Sequence, residues 1–290
     1  MSEIVTPGRP PANGASRAAG AALLVLIGLW GPGVGAAQHV AEPPVALASS
    51  LRFAWPAIEA AAAGRAREGD GPVPVRTTFG ASLALAGQML AGAPFELLVA
   101  ADTESVARLV AGGRVDPADV ARYADGRLAL AVRTDSPLAP RPSLGALVAL
   151  LEDAPAARIA IANPATAPYG RAALEALASV GLAGLSPARV ARGESAGQAL
   201  QYLLSGAVDA ALVPHSLVRG APPGTDAVAA LVDAAGHAPI EHSLGLVRNA
   251  GPAARSLAAF LGSCAARPVL EREGFAAPAG VACSDAPDPR

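Results

Sequence analysis

The sequence contains no lysine; all 22 basic side chains are arginine. Aromatic residues make up 3% of it, charged residues 16%, and there are only two cysteines in 290 positions. Each shortage excludes something. A formal net charge of -2 leaves no basic excess of the kind that nucleic-acid binding needs. Two cysteines cannot form the framework of a disulfide-built miniature fold. Low charge together with 52% hydrophobic residues excludes a disordered chain. Beyond the N-terminal region no segment approaches the run of about 18 apolar residues that marks a membrane-spanning helix. The missing lysine, beside abundant alanine, glycine and proline, reads as the coding bias of a GC-rich genome and carries no functional weight. What remains is a chain long enough for one or two domains with a sizeable core.

The first forty residues differ from the rest. Arg9 and Arg17 precede the apolar run Ala18–Trp30, which is followed by the small residues Val34-Gly35-Ala36-Ala37. A basic start, a short apolar stretch and a small-x-small site together describe a secretory signal peptide, here residues 1–37. No cysteine lies near the expected cut, which argues against a lipid-modified N-terminus. Export gives Cys264 and Cys283 an oxidising compartment, and the pair is expected to form a disulfide near the C-terminus. Two unrelated thiols are the competing reading.

Along the mature chain short apolar runs alternate with alanine-rich helical patterns, the mark of an α/β fold. Strands are expected at Val45–Ala48, Val73–Thr78, Glu96–Ala100, Leu128–Arg133, Arg158–Ala162, Ala188–Ala191, Asp209–Val213, Ala227–Leu231 and Ser243–Val247. Helices are expected over Leu51–Gly64, Ser82–Ala91, Thr103–Ala111, Tyr169–Val180, Ser195–Ser205 and Pro252–Glu273. One further helix opens at Pro142-Ser143 and runs to Leu151. A single sheet of all these strands would be near the practical limit of about ten, so two α/β units are the more economical arrangement.

Three polar segments stand where a strand end turns into a helix start: Ala48-Ser49-Ser50-Leu51, Phe79-Gly80-Ala81-Ser82, and Asn163-Pro164-Ala165-Thr166-Ala167-Pro168-Tyr169-Gly170. In open α/β sheets ligands sit beyond the carboxyl ends of the strands. Helix N-termini there offer unpaired N–H groups and the positive end of a dipole to an anion. Ser50 and Ser82 are also what ordinary helix caps look like. The order of these segments, with Gly92-Ala93-Pro94-Phe95-Glu96 leading into Leu97-Leu98-Val99-Ala100-Ala101-Asp102, resembles the molybdate-binding proteins of bacterial ABC transporters from about Val45 to Phe275.

The resemblance implies an α/β, two-lobed periplasmic binding protein, each lobe a sheet flanked by helices and joined to the other by two crossing segments. It implies lobe I from residues 38–125 with 239–290, lobe II from residues 126–238, and crossings near Tyr123–Arg127 and Ala235–Glu241. It implies a monomer in the periplasm that holds molybdate or tungstate and passes it to a membrane permease, without enzymatic chemistry or a resident cofactor. Carried over residue by residue, the ligand positions are Ser49, Ser50, Ser82, Tyr169 and Ala196, the last through its main-chain N–H. Molybdenum enters only as the oxyanion, and no cation site is expected. This sequence departs from the family at Ala81-Ser82-Leu83, where one hydroxyl is lost and a bulky side chain gained. Ser50 stands where one branch has asparagine, and Pro214-His215 where another has a tyrosine.

Other signals compete. Gly193-Glu194-Ser195-Ala196-Gly197 matches the G-x-S-x-G elbow of secreted serine hydrolases, with Ser195 as nucleophile, but no HGGG-type oxyanion segment precedes it. A related receptor for sulfate or an organic anion is the nearer alternative. His215 and His242 lack the companions of a metal site and read as surface or hydrogen-bonded structural residues. Asp102 reads as structural, holding loop amides.

Overall fold

Leucine, valine and alanine fill the strand positions almost without interruption, the pattern of strands covered on both faces. The computed structural model describes residue 42, residues 44–65 and residues 75–281. The segment read as a signal peptide, residues 1–37, and Cys283 lie outside the described residues. Cys264 opens a short 3-10 turn, Cys264–Ala266, and is disulfide-bonded.

The first sheet contains β1 (Pro44–Ala48), β2 (Arg76–Gly80), β3 (Leu97–Val99), β4 (Val115–Gly126) and, much later in the chain, β10 (Ile240–Val247). Their spatial order is β2-β1-β3-β10-β4; β1 runs parallel to β2 and β3, and β10 lies antiparallel between β3 and β4. The second sheet contains β5 (Leu128–Val132), β6 (Ile159–Ala162), β7 (Val190–Gly193), β8 (Ala210–Pro214) and β9 (Val228–Leu231). Its order is β7-β6-β8-β5-β9, with β6 parallel to β7 and β8, and β5 antiparallel between β8 and β9. Both sheets thus repeat one plan. In each, the strand that arrives from the other sheet is the antiparallel insert. The chain passes from the first sheet to the second between Gly126 and Leu128, and returns between Leu231 and Ile240.

Helices cover both faces of each sheet. Val45, Leu47, Leu97 and Val99 pack on Ile58 of α1 (Trp55–Ala63), Leu257 and Leu261 of α8 (Pro252–Gly262), and Leu270 of α9 (Arg267–Arg272). The alternate residues Ala46 and Leu98 face Leu85 and Met89 of α2 (Ser82–Leu90) and Val106 and Leu109 of α3 (Glu104–Ala111). In the second sheet Leu128, Leu130, Ile159 and Ile161 pack on α4 (Leu144–Asp153) and α5 (Pro168–Ser179). On its other face Ala131, Ala160, Ala162 and Ala211 meet Ala199, Leu200 and Leu203 of α6 (Ala196–Leu204) and Leu217 of α7 (His215–Arg219). Alanine on that face lets α6 lie close to the sheet.

Three local expectations need correction. Val115–Gly126 has no predicted strand, yet it forms the 12-residue edge strand β4. Its sequence, VDPADVARYADG, lacks alternation, and Pro117 is tolerated because an edge strand leaves one row of N–H groups unpaired. The expected helix over Leu51–Gly64 is a 3-10 turn at Ser49–Leu51 followed by α1. The expected Pro252–Glu273 helix breaks at Ser263, whose backbone is extended (φ -91°, ψ 164°), and resumes only at Arg267.

Candidate ligand-binding site

Four strand ends converge on one place. After β1, Ser49 and Ser50 form a single 3-10 turn closed by the Arg52 N–H on the Ser49 carbonyl at 3.2 Å. Ser50 is 1% exposed. Its carbonyl accepts the Ser216 hydroxyl at 2.7 Å, while its own hydroxyl has no hydrogen-bond partner. After β2, extended Ala81 leads into Ser82, the first residue of α2. Ser82 Oγ accepts the Ala101 N–H at 2.9 Å, which ties this turn to the end of β3.

In the second sheet β6 runs into Asn163, which organises the following turn. Its side-chain oxygen accepts the Ala165 N–H at 3.1 Å, and its carbonyl accepts the Ala167 N–H at 2.8 Å. Pro168 then starts α5, where its missing N–H costs nothing, and Tyr169 follows. Gly170 is required here: a Cβ would lie 2.3 Å from the Ala162 carbonyl oxygen. After β7, Ser195 caps α6 by accepting the Gln198 N–H at 3.4 Å, and Ala196 is the first helical residue. The hydroxyl of the G-x-S-x-G match is therefore a helix cap.

These turns border one narrow cleft of about 10 Å³, the scale of a single water molecule. Ala48, Ser49, Ser50, Ala81, Ser82 and Ala101 line it from the first sheet, and Ala167, Pro168, Tyr169 and Ala196 from the second. All five ligand candidates, Ser49, Ser50, Ser82, Tyr169 and Ala196, border the same space. None of its lining residues is charged. Its electrostatics come instead from the N-termini of α2, α5 and α6, whose first-turn N–H groups have no acceptor within their own helices. A main-chain bond from the Leu83 N–H to the Thr166 carbonyl, 3.2 Å, joins the two sides. The family departure takes a definite form here: Ala81 contributes a methyl to the cleft, and Leu83 does not line it.

Tyr169 is buried, and its hydroxyl meets His242 Nε2 at 3.2 Å and the main-chain N–H of Arg127. Burial pushes the phenol pKa up, so the group stays neutral. What Tyr169 has left for the cleft is its main-chain N–H at the start of α5. Sequence reasoning singled out neither Ser216 nor Ala101. Ser216 holds the Ser50 carbonyl from a helix 166 positions away, which no local pattern reveals.

The remaining signals find other places. Asp102 Oδ1 accepts the Ser105 N–H at 2.7 Å, and its carbonyl accepts the Ser243 hydroxyl at 2.6 Å, so Asp102 does hold loop groups. Burial raises its pKa, against the lowering effect of the Ser105 hydrogen bonds and of Arg171. His215 is half-buried, with Nδ1 3.4 Å from the Gly274 carbonyl, and burial lowers its pKa. It does not line the cleft. No group of three or more potential metal-ligating side chains occurs among the described residues.

Residues 44–276 match the family model of bacterial extracellular solute-binding proteins. The chain belongs to that family. Two relatives are named molybdate-binding protein ModA. The one from Rhodobacter capsulatus is 30% identical over 202 residues, 70% of this chain and 74% of the relative. The one from Azotobacter vinelandii is 32% identical over 145 residues, half of this chain, and the match spans only 55% of that relative's length. The solved periplasmic molybdate-binding protein of Azotobacter vinelandii superposes on this solute-binding protein with a TM-score of 0.69, at 24% identity, covering 82% of this chain and all of the other. The two-sheet architecture of this ModA-like solute-binding protein is therefore that of a periplasmic binding protein.

Proposed function

We propose that this solute-binding protein captures molybdate or tungstate in the cleft between its sheets and delivers it to the permease of an ABC transporter. Ser49, Ser50 and Ser82 supply hydroxyl or main-chain donors from one side, and Tyr169 and Ala196 supply main-chain N–H groups from the other. The observation that carries this reading is the Ser50 hydroxyl, buried and without a protein partner, in a residue that borders a cleft with no charged lining. A buried hydroxyl in that state is costly, and an anion oxygen relieves the cost by accepting a hydrogen bond from it. Neutral donors suit a dianion because fixed N–H and O–H dipoles replace its hydration shell without burying a counter-charge.

Residues 38–125 with 239–290, and residues 126–238, are taken as the two bodies that close on the ligand. Closure excludes water and aligns donors from both sheets, so binding and conformational change are one equilibrium. No covalent step is involved. Residues 1–37 would be removed on export to the periplasm, where the protein acts as a monomer.

Calorimetric titration with molybdate, tungstate, sulfate and phosphate tests the reading. Micromolar or tighter binding of the two larger oxyanions, with sulfate and phosphate much weaker, is the expected result. Tight binding of sulfate alone would assign the protein to another anion, and no binding of any of the four would end the proposal.

A further inference from the structure

His242 lies on β10, and a bulge in the β10–β4 pairing follows it directly. It is fully buried, with the rings of Tyr123, Tyr169 and Phe275 packed edge-on at centroid distances of 5.5, 5.8 and 5.3 Å. Its two ring nitrogens face two hydroxyls: Nδ1 is 2.9 Å from Tyr123 Oη, and Nε2 is 3.2 Å from Tyr169 Oη. Tyr123 Oη is also 3.1 Å from the Ala100 carbonyl. That carbonyl can only accept, so the Tyr123 proton points to it. Tyr123 Oη must then accept from His242, which places the ring proton on Nδ1. Nε2 is left bare, and the Tyr169 hydroxyl donates to it. The hydrogen bonds run in one direction, from Tyr169 through His242 and Tyr123 to Ala100.

Tyr169 belongs to α5 on the second sheet, whereas His242, Tyr123 and Ala100 belong to the first. Gly126, the last residue of β4 before the chain crosses, makes room for the junction: a Cβ there would lie 2.3 Å from Tyr169 Oη and 2.8 Å from His242 Nε2. Ala100 is followed by Ala101, whose N–H holds Ser82 in the cleft. The wire therefore ends beside one side of the cleft and begins at the other.

We propose that His242 is a positioning residue for ligand binding: as the Nδ1–H tautomer it holds the Tyr169 hydroxyl, so that α5 presents the main-chain N–H of Tyr169 to the anion, and it joins the two sides of the cleft in the closed arrangement. The proposal rests on the oxyanion reading above and deepens it. The hydroxyl of Tyr169 is the hinge-side anchor and not a ligand donor.

The test uses tungstate affinity and ligand-free Tm for wild type, Tyr169→Phe, His242→Phe and the double variant. Tyr169→Phe removes only the hydroxyl and keeps the main-chain N–H. Each single variant is expected to weaken tungstate binding roughly three- to tenfold, the scale of one hydrogen bond, and the double variant no further than either. A purely structural His242 would lower Tm and leave the Kd where it was. Loss of affinity in Tyr169→Phe with unchanged or tighter binding in His242→Phe would overturn the proposal, because it would make the hydroxyl a ligand donor. Losses that multiply in the double variant would also overturn it. Nitrogen-15 NMR of the His242 ring in wild-type protein reads the wire without any ligand: a proton on Nδ1 supports it, and a proton on Nε2 refutes it. If wild type binds none of the oxyanions, the functional reading falls, while the NMR experiment still decides the wire.

Discussion

Ser50 and Ser82 lie in the same cleft but in different hydrogen-bond states, and their alanine variants should behave differently. Ser50→Ala removes a hydroxyl that has no protein hydrogen-bond partner. Its ligand-free Tm is expected to hold or rise slightly, while oxyanion affinity falls by about 1–3 kcal/mol, as calorimetry would register. Ser82→Ala also strips the acceptor from the buried Ala101 N–H. It should lose a similar amount of affinity and in addition about 1–3 kcal/mol of stability in urea unfolding. Equal Tm values for the two variants would contradict this distinction. His242 adds a pH dependence, because burial pushes its pKa down from 6.5 to about 3. Between those values the unfolded chain binds a proton that the folded chain refuses, so folding stability declines as pH falls from about 6.5 towards 3. Asp102, whose pKa burial raises, acts in the opposite sense at the acid end. The informative measurement is therefore the difference between wild type and His242→Phe, which should shrink as the pH is lowered through that window.

At the scale of elements, the turn from β6 into α5 has little freedom. Gly170→Ala would set a methyl carbon 2.3 Å from the Ala162 carbonyl oxygen, so strand and helix start must separate. The expected outcome is a lower Tm together with loss of oxyanion binding, whereas Gly145→Ala in α4, where nothing lies within 4 Å, should keep both. Legibility in the sequence follows the same physics. Helix starts announce themselves locally through serine, asparagine and proline, so the turns around Ser49, Ser82, Asn163 and Ser195 are visible in one dimension. Strands covered on both faces show as apolar runs, and most were readable to within a few residues. β4 was not, because an edge strand of mixed polarity carries neither alternation nor an apolar run. The partners of His242 were not readable either. Tyr123 and Tyr169 stand 119 and 73 positions from it; the pairing of β10 with β4 brings in Tyr123, and Tyr169 arrives from the start of α5. A lone histidine could be read as hydrogen-bonded and structural, but its bearing on the cleft comes from the fold.

For the whole molecule, ligand binding and stability should be linked. A ligand that binds only the folded state adds about 2.7 kcal/mol at a hundredfold excess over its Kd. For a domain of this size that is roughly 5–10 °C in Tm. Thermal scans with rising tungstate should show that shift, and sulfate at the same concentrations should give much less. A Tm that ignores tungstate would count against the oxyanion reading. The sheet order carries a further consequence, for the timing of folding. All five strands of the second sheet are contiguous in the chain, from Leu128 to Leu231, so that sheet can assemble as soon as it is synthesised. The first sheet cannot, because β10 lies between β3 and β4. β1, β2 and β3 pair among themselves, but β4 must wait for Ile240–Val247, because it has no other strand to pair with. Completion of the first sheet, with its edge strand β4, thus comes only after every strand of the second sheet has been made.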